Sequence, residues 1–170
     1  MDFNPIIHPD PAPGRLLWIT GLLMSLVFMA GGCNVGARTM ALFGGELNVQ
    51  VQINPNANHN QPLMVDLVLV NDSELLKTLM GIPASEWFAK RDQFKRDYPK
   101  RTGFESWEWE WTPGQQVPDL ILPIRVRAEA GIIFVRYYSE GDHRARFDPL
   151  KNILIEFKED DFQVTVTQGT

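Results

Sequence analysis

The sequence is short of the residues on which most catalytic and metal chemistry depends. It holds one cysteine and three histidines in 170 residues. A single cysteine excludes an internal disulfide, a CxxC pair and a thiolate metal cluster. His8, His59 and His143 lie far apart, so no pair has metal-ligand spacing on one element. Basic residues are the minority. Sixteen Lys and Arg against 21 Asp and Glu leave a net charge of −5, which argues against a nucleic-acid binder. No GxSxG, HExxH or P-loop pattern occurs. There is no internal repeat and no low-complexity tract. With 44% hydrophobic and 22% charged residues, the composition excludes disorder and collagen. The length suits one domain.

The lone cysteine stands where it has a specific use. Leu16 to Ala30 reads LLWITGLLMSLVFMA, without a charge and preceded by Arg15. That length matches a signal-peptide core and falls short of the roughly 20 residues of a bilayer span. Ala30, Gly31 and Gly32 follow, then Cys33. Small residues before a cysteine are the organisation of a bacterial lipoprotein signal. The peptidase pocket is narrow at that point, and the thiol takes the diacylglyceryl group. We therefore expect a signal peptide over residues 1–32, covalent lipid (palmitate included) on Cys33, and a tether over 33–45. The leader MDFNPIIHPDPAPGR is atypical, with four prolines and two aspartates. The competing reading is an uncleaved membrane anchor, because no charge occurs from Leu16 to Ala37. Both readings export the chain beyond Cys33. Asn34, not aspartate, after Cys33 favours the outer membrane.

Residues 46–170 read as mainly β, a sandwich of seven to eight strands with a helical insert over about 73–98. Glu46 to Asn54 alternates, with Leu47, Val49, Val51 and Ile53 on one face. Leu63 to Val70 is apolar on both faces apart from Asp66, so something must pack across its outer side. Asn71, Asp72 and Ser73 offer capping oxygens to a short helix. Pro83-Ala84-Ser85 precedes a second, on which Trp87, Phe94 and Tyr98 form one stripe and Pro99 sets the end. Two such helices can cover a sheet face. Glu105 to Thr112 alternates Trp107, Trp109 and Trp111 against Glu108 and Glu110. Val117 to Val126 is extended, and Pro118 and Pro123 assign it to an edge. Gly131 to Tyr138, Ile153 to Phe157 and Phe162 to Val166 complete the strands. Arg144-Ala145-Arg146 reads as a charged hairpin flank.

Few constellations suggest chemistry. Ser139, Asp142 and His143 share one turn, whereas a triad is assembled from separate elements. Glu105, Glu108 and Glu110 among tryptophans suggest glycosidase carboxylates, but a solvated strand face is the simpler reading. The tryptophan stripe is either an inward core face or an exposed platform for envelope glycan. The basic run from Lys90 to Arg101 is a solvated helix face, or a surface for anionic lipid or an acidic partner. The most informative polar segment is Asn54, Pro55, Asn56, Ala57, Asn58, His59, Asn60, Gln61 and Pro62. It exceeds an ordinary hairpin loop, and long polar loops on a β scaffold are where binding tends to sit.

Taken in order, a lipidated cysteine, a tether, an alternating strand, an Asn-Pro-rich loop and a Val/Leu-rich strand resemble one family. INPNANHNQPLMVDLVLV, residues 53–70, is similar to the outer-membrane lipoprotein of type VI secretion, the TssJ-like family, or a related accessory envelope lipoprotein. TPGQQ at 112–116 and GIIFVRYYS at 131–139 add a weaker match. Asp66 and Leu69 depart from the family pattern. The resemblance implies a β-sandwich with added helices and a structural role without catalysis or cofactor. It implies a position on the periplasmic face of the outer membrane. It also implies binding of the periplasmic part of an inner-membrane component of TssM type, with Asn54 to Pro62 in the contact. No nucleic acid and no small-molecule substrate is expected.

Overall fold

The computed structural model describes residues 45–124 and 128–167. The expected signal peptide, Cys33 and nearly all of the tether lie outside the described residues. Among the described residues no helix is long and apolar enough to cross a membrane.

The first strand, β1 (Gly45–Ile53), leads through a tight turn at Ala57–Asn60 into β2 (Leu63–Val70). Two helices follow, α1 (Ser73–Met80) and α2 (Ala84–Asp97). The remaining strands are β3 (Phe104–Trp111), β4 (Leu120–Ile124), β5 (Ala130–Arg136), β6 (Arg144–Phe147), β7 (Ile153–Phe157) and β8 (Phe162–Val166). They form two four-stranded sheets, ordered β4-β1-β7-β8 and β3-β2-β5-β6. Pairing is antiparallel except between β1 and β7, which run parallel with Val49 opposite Ile153. The expected sandwich with a helical insert is therefore present.

The alternating pattern of β1 explains its place. Leu47, Val49 and Ile53 enter the core between the sheets, where they meet Ile153, Ile155 and Phe157 of β7. From β2, Leu63, Val65, Leu67 and Leu69 enter the same core. The other face of β2 presents Val68 and Val70 to a second core formed with Leu75, Leu79, Trp87 and Phe88. That second core accounts for a strand apolar on both sides. Each buried aliphatic side chain here contributes roughly 1.5–3 kcal/mol.

Local sequence sets the helices. The Asp72 carboxylate accepts from the Leu75 amide at 2.7 Å and caps α1. Along α2, Trp87 stacks on Phe94 at 5.7 Å, and Phe94 meets Tyr98 at 6.2 Å. Trp87 is fully buried and stacks on Phe134 of β5 at 4.8 Å. The stripe seen in the sequence is thus the face that docks onto the sheet.

Two regions differ from one of their sequence readings. The tryptophans of β3 form its inward face, with Trp111 buried and Trp107 and Trp109 packed half-buried against the core. They remain half-exposed because β3 is an edge strand. An exposed glycan platform is not what they make. Arg144-Ala145-Arg146 is no mere flank: it is most of β6, an edge strand paired with β5. Edge strands carry charge freely, which is why composition concealed it.

Candidate interaction site

The segments joining the strands at one end of the sandwich converge on the 54–62 loop. The Asn54 amide donates to the Phe157 carbonyl at 3.0 Å and extends the β1–β7 ladder by one bond. Its carbonyl accepts from Ala57 at 3.0 Å and from Gly114 at 3.1 Å. The chain then turns tightly. Asn58, His59 and Asn60 all take left-handed backbone, with φ of 50°, 53° and 64°. Asparagine visits that region readily and histidine less so. Three such residues in succession persist only where surrounding contacts fix them.

Asn58 supplies those contacts. It is 3% exposed, although the sequence places it with the polar contact residues. Its side-chain amide donates to the Pro62 carbonyl at 2.8 Å and the Gln61 carbonyl at 3.3 Å. Its Oδ1 accepts from the Tyr138 amide at 2.5 Å, and its own backbone amide donates to the Lys158 carbonyl at 3.1 Å. Ala57 is fully buried beside it. Asn54, Pro55, Asn56, His59, Asn60, Gln61 and Pro62 are left facing solvent. The loop is a rigid display, with Asn58 as its buried pin.

The display rests on the acidic turn between β7 and β8. Asn56 donates to Glu159 at 3.0 Å, and His59 Nε2 lies 2.7 Å from Asp160. Ser139 donates its hydroxyl to the Asp160 carbonyl at 2.8 Å. The Tyr137 hydroxyl donates to the carbonyls of Asp161 and Lys158 at 2.8 and 3.2 Å. Burial pushes that hydroxyl well above its ordinary value. Tyr138, 78% exposed, sets its ring edge-on to His59 at 5.9 Å. Sequence reasoning missed Tyr138 and the acidic turn as neighbours of the loop, because both are far away along the chain.

A second polar constellation lies under α2. Asp66 is 1% exposed and accepts from Trp87 Nε1 at 2.8 Å and from Arg91 at 3.3 Å. Desolvation raises its pKa above the ordinary 3.8, opposed by the Trp87 bond and the Arg91 charge. Arg91 also lies 3.3 Å from Glu108, and Lys95 pairs with Glu108 as well. Part of the basic run of α2 is therefore satisfied by the sheet beneath it. Glu108 is occupied by two cations, and His143 meets the backbone carbonyl of Ser139 rather than its hydroxyl. Among the described residues no group of His, Cys, Asp and Glu could hold a metal ion.

No family model matches the chain, and no curated protein is similar to it in sequence. Solved structures are similar in fold. The type VI secretion lipoprotein TssJ1 from Pseudomonas aeruginosa superposes with a TM-score of 0.55 at 12% identity, covering 74% of this chain and 98% of that one. The Lip protein of Serratia marcescens, a membrane-bound component of the type VI secretion system, gives 0.54 at 13%, covering 73% and 98%. A chain of a type VI membrane complex gives 0.52 at 11%, covering 72% and 97%. The chain therefore has the fold of the type VI secretion lipoproteins. In particular it has the TssJ-like fold that residues 53–70 resemble.

Proposed function

We propose that this protein is a non-catalytic lipoprotein that anchors a type VI-like secretion complex in the cell envelope. Cys33 carries the lipid at the periplasmic face of the outer membrane. The exposed residues of the 54–62 loop bind the periplasmic part of an inner-membrane component of TssM type. The observation that carries this reading is the fold, which matches nearly the whole length of two type VI lipoproteins.

The tether joins at Gly45 and the loop begins after Ile53. A nine-residue strand spans about 30 Å. The loop therefore lies at the end of β1 remote from Gly45, the first described residue.

Two substitutions separate the roles. Cys33→Ser should release the exported domain from membranes and abolish incorporation of labelled palmitate. Replacing Asn56, His59 and Gln61 together by serine, with Asn58 retained, should lower capture of the partner at least tenfold while membrane association stays intact. Undiminished capture would remove the loop from the contact.

A further inference from the structure

The edge strands of the two sheets are β4, β8, β3 and β6, and they do not present equal edges. β4 carries Pro123, which has no N–H for a further strand. β3 carries Glu105, Glu108 and Glu110, and β6 carries Arg144 and Arg146. Charge and proline are the usual means by which an edge is kept from pairing. β8 has neither. Phe162 to Thr167 reads FQVTVT, without a charge or a proline and rich in residues that favour strands.

The register of β8 shows which of its backbone groups lie open. The Lys158 amide donates to the Asp161 carbonyl at 2.9 Å, and the Thr167 amide donates to the Asn152 carbonyl at 2.8 Å. Both bonds continue the ladder in which Ile153 faces Val166 and Phe157 faces Phe162. Bonded and non-bonded pairs alternate along an antiparallel ladder. Gln163 and Thr165 therefore direct their backbone groups to Glu156 and Leu154 of β7. Phe162, Val164 and Val166 direct theirs away from β7. The side chains of these three share the core face, and their cover falls off along the strand: Phe162 is 6% exposed and Val166 51%. Gln163 and Thr165, on the outer face, are exposed.

We propose that β8 pairs with β8 of a second copy of this chain, antiparallel and centred on Val164, joining two four-stranded sheets into one of eight. In that register Val164 faces its own counterpart, Phe162 faces Val166, and Gln163 faces Thr165. The N–H and C=O groups that point away from β7 then meet their complements. Apolar side chains meet apolar ones on the core face, and an amide meets a hydroxyl on the other.

The two-fold axis also separates the charges. It sets the acidic turn of one copy at the far end of the paired strands from the acidic turn of the other, with Asp161 opposite Thr167. The arginines of β6 do not intrude. Arg144 and Arg146 oppose Phe134 and Ile132, which face the helices, so their side chains lie on the far face of their sheet from β8. The pairing also closes. The joined sheet ends in β4 on both sides, where Pro123 stops further addition. The inference uses neither the lipid nor the 54–62 loop, so it can fail while the anchoring reading stands, and the reverse.

Site-directed cross-linking tests the register. Full-length chains carrying Gln163→Cys under one tag and Thr165→Cys under another are produced together, purified in mild detergent and oxidised with copper phenanthroline. The unlike pair would stand ~4.5 Å apart between Cα atoms, within reach of a disulfide. Like pairs would stand roughly 7–8 Å apart, at its limit. Mixed disulfide dimers should exceed like ones about fivefold or more. The unaltered protein, which keeps Cys33, sets the background. Val164→Pro removes the central outward N–H and leaves the bonds to β7 in place, so adding it should abolish the mixed product. Its urea midpoint reports whether it folds. Should it unfold, Val166→Lys, at a half-exposed side chain, should abolish the product instead. Equal yields of mixed and like dimers would overturn the proposal. So would a mixed product that survives in the folded variant, or cross-linking to a different protein alone.

Discussion

Asn58 and Asp66 show how single buried polar residues fix this structure. The Asn58 side chain joins three backbone groups, so Asn58→Ala should remove those bonds and leave a non-glycine residue in the left-handed region. We expect a loss of about 2–4 kcal/mol in urea unfolding of the β-sandwich. Asn58→Gly removes the same bonds but relieves the backbone, and should be milder than alanine. Equal losses would contradict the strain. At Asp66, burial raises the carboxyl above 3.8, so the folded state holds this proton longer than the unfolded chain does. The contribution of the group is then fully present below the unfolded value. It is lost as pH rises through the raised one. Asp66→Asn should therefore gain on the unaltered protein as pH rises from about 3.5 to 6.5, measured by urea midpoints at each pH. A difference that stays flat would mean that Trp87 and Arg91 fully offset the desolvation. Trp87→Phe keeps the stacking on Phe134 but removes a bond to a buried acceptor, a loss of about 1–3 kcal/mol.

At the scale of elements, β5 and β6 approach each other closely through a glycine. Gly131 pairs with Phe147, and a Cβ on Gly131 would lie 2.1 Å from the Phe147 ring. Gly131→Ala should push that ring out of the core and weaken β6, lowering stability by about 1–3 kcal/mol. Faster exchange confined to β6 peptides would check the location. The legibility of each element depends on the physics of its neighbours. The bounds of β2, β7 and β8 were readable because apolar runs end at polar turns. The edge position of β4 was readable from its prolines, and the docking stripe of α2 from its spacing. The strand β6 was not, because two arginines around one alanine carry no period. The loop itself was legible as long, polar and candidate. Its interior was not. Asn58 is buried by bonds to Tyr138, 80 residues away, and His59 meets Asp160, 101 residues away. No local pattern reports contacts at such separation. Asp66 stood out as one charge in an apolar strand, but its partners on α2 emerge only once the helix is docked.

For the whole molecule, the two ends of β1 differ: Gly45 starts the strand, and past Ile53 the chain enters a pinned loop beside an acidic turn. The helical layer lies on the outer face of one sheet and leaves that display open. In the function proposed above, the fold, the lipid and the loop together make an envelope anchor for a secretion complex. The most direct test is a mild-detergent pull-down of the full-length, C-terminally tagged protein, with mass spectrometry of what it retains. A large inner-membrane secretion component should be recovered, and should be lost when Asn56, His59 and Gln61 are replaced together. Recovery of no such component by the folded, membrane-bound protein would contradict the anchoring role.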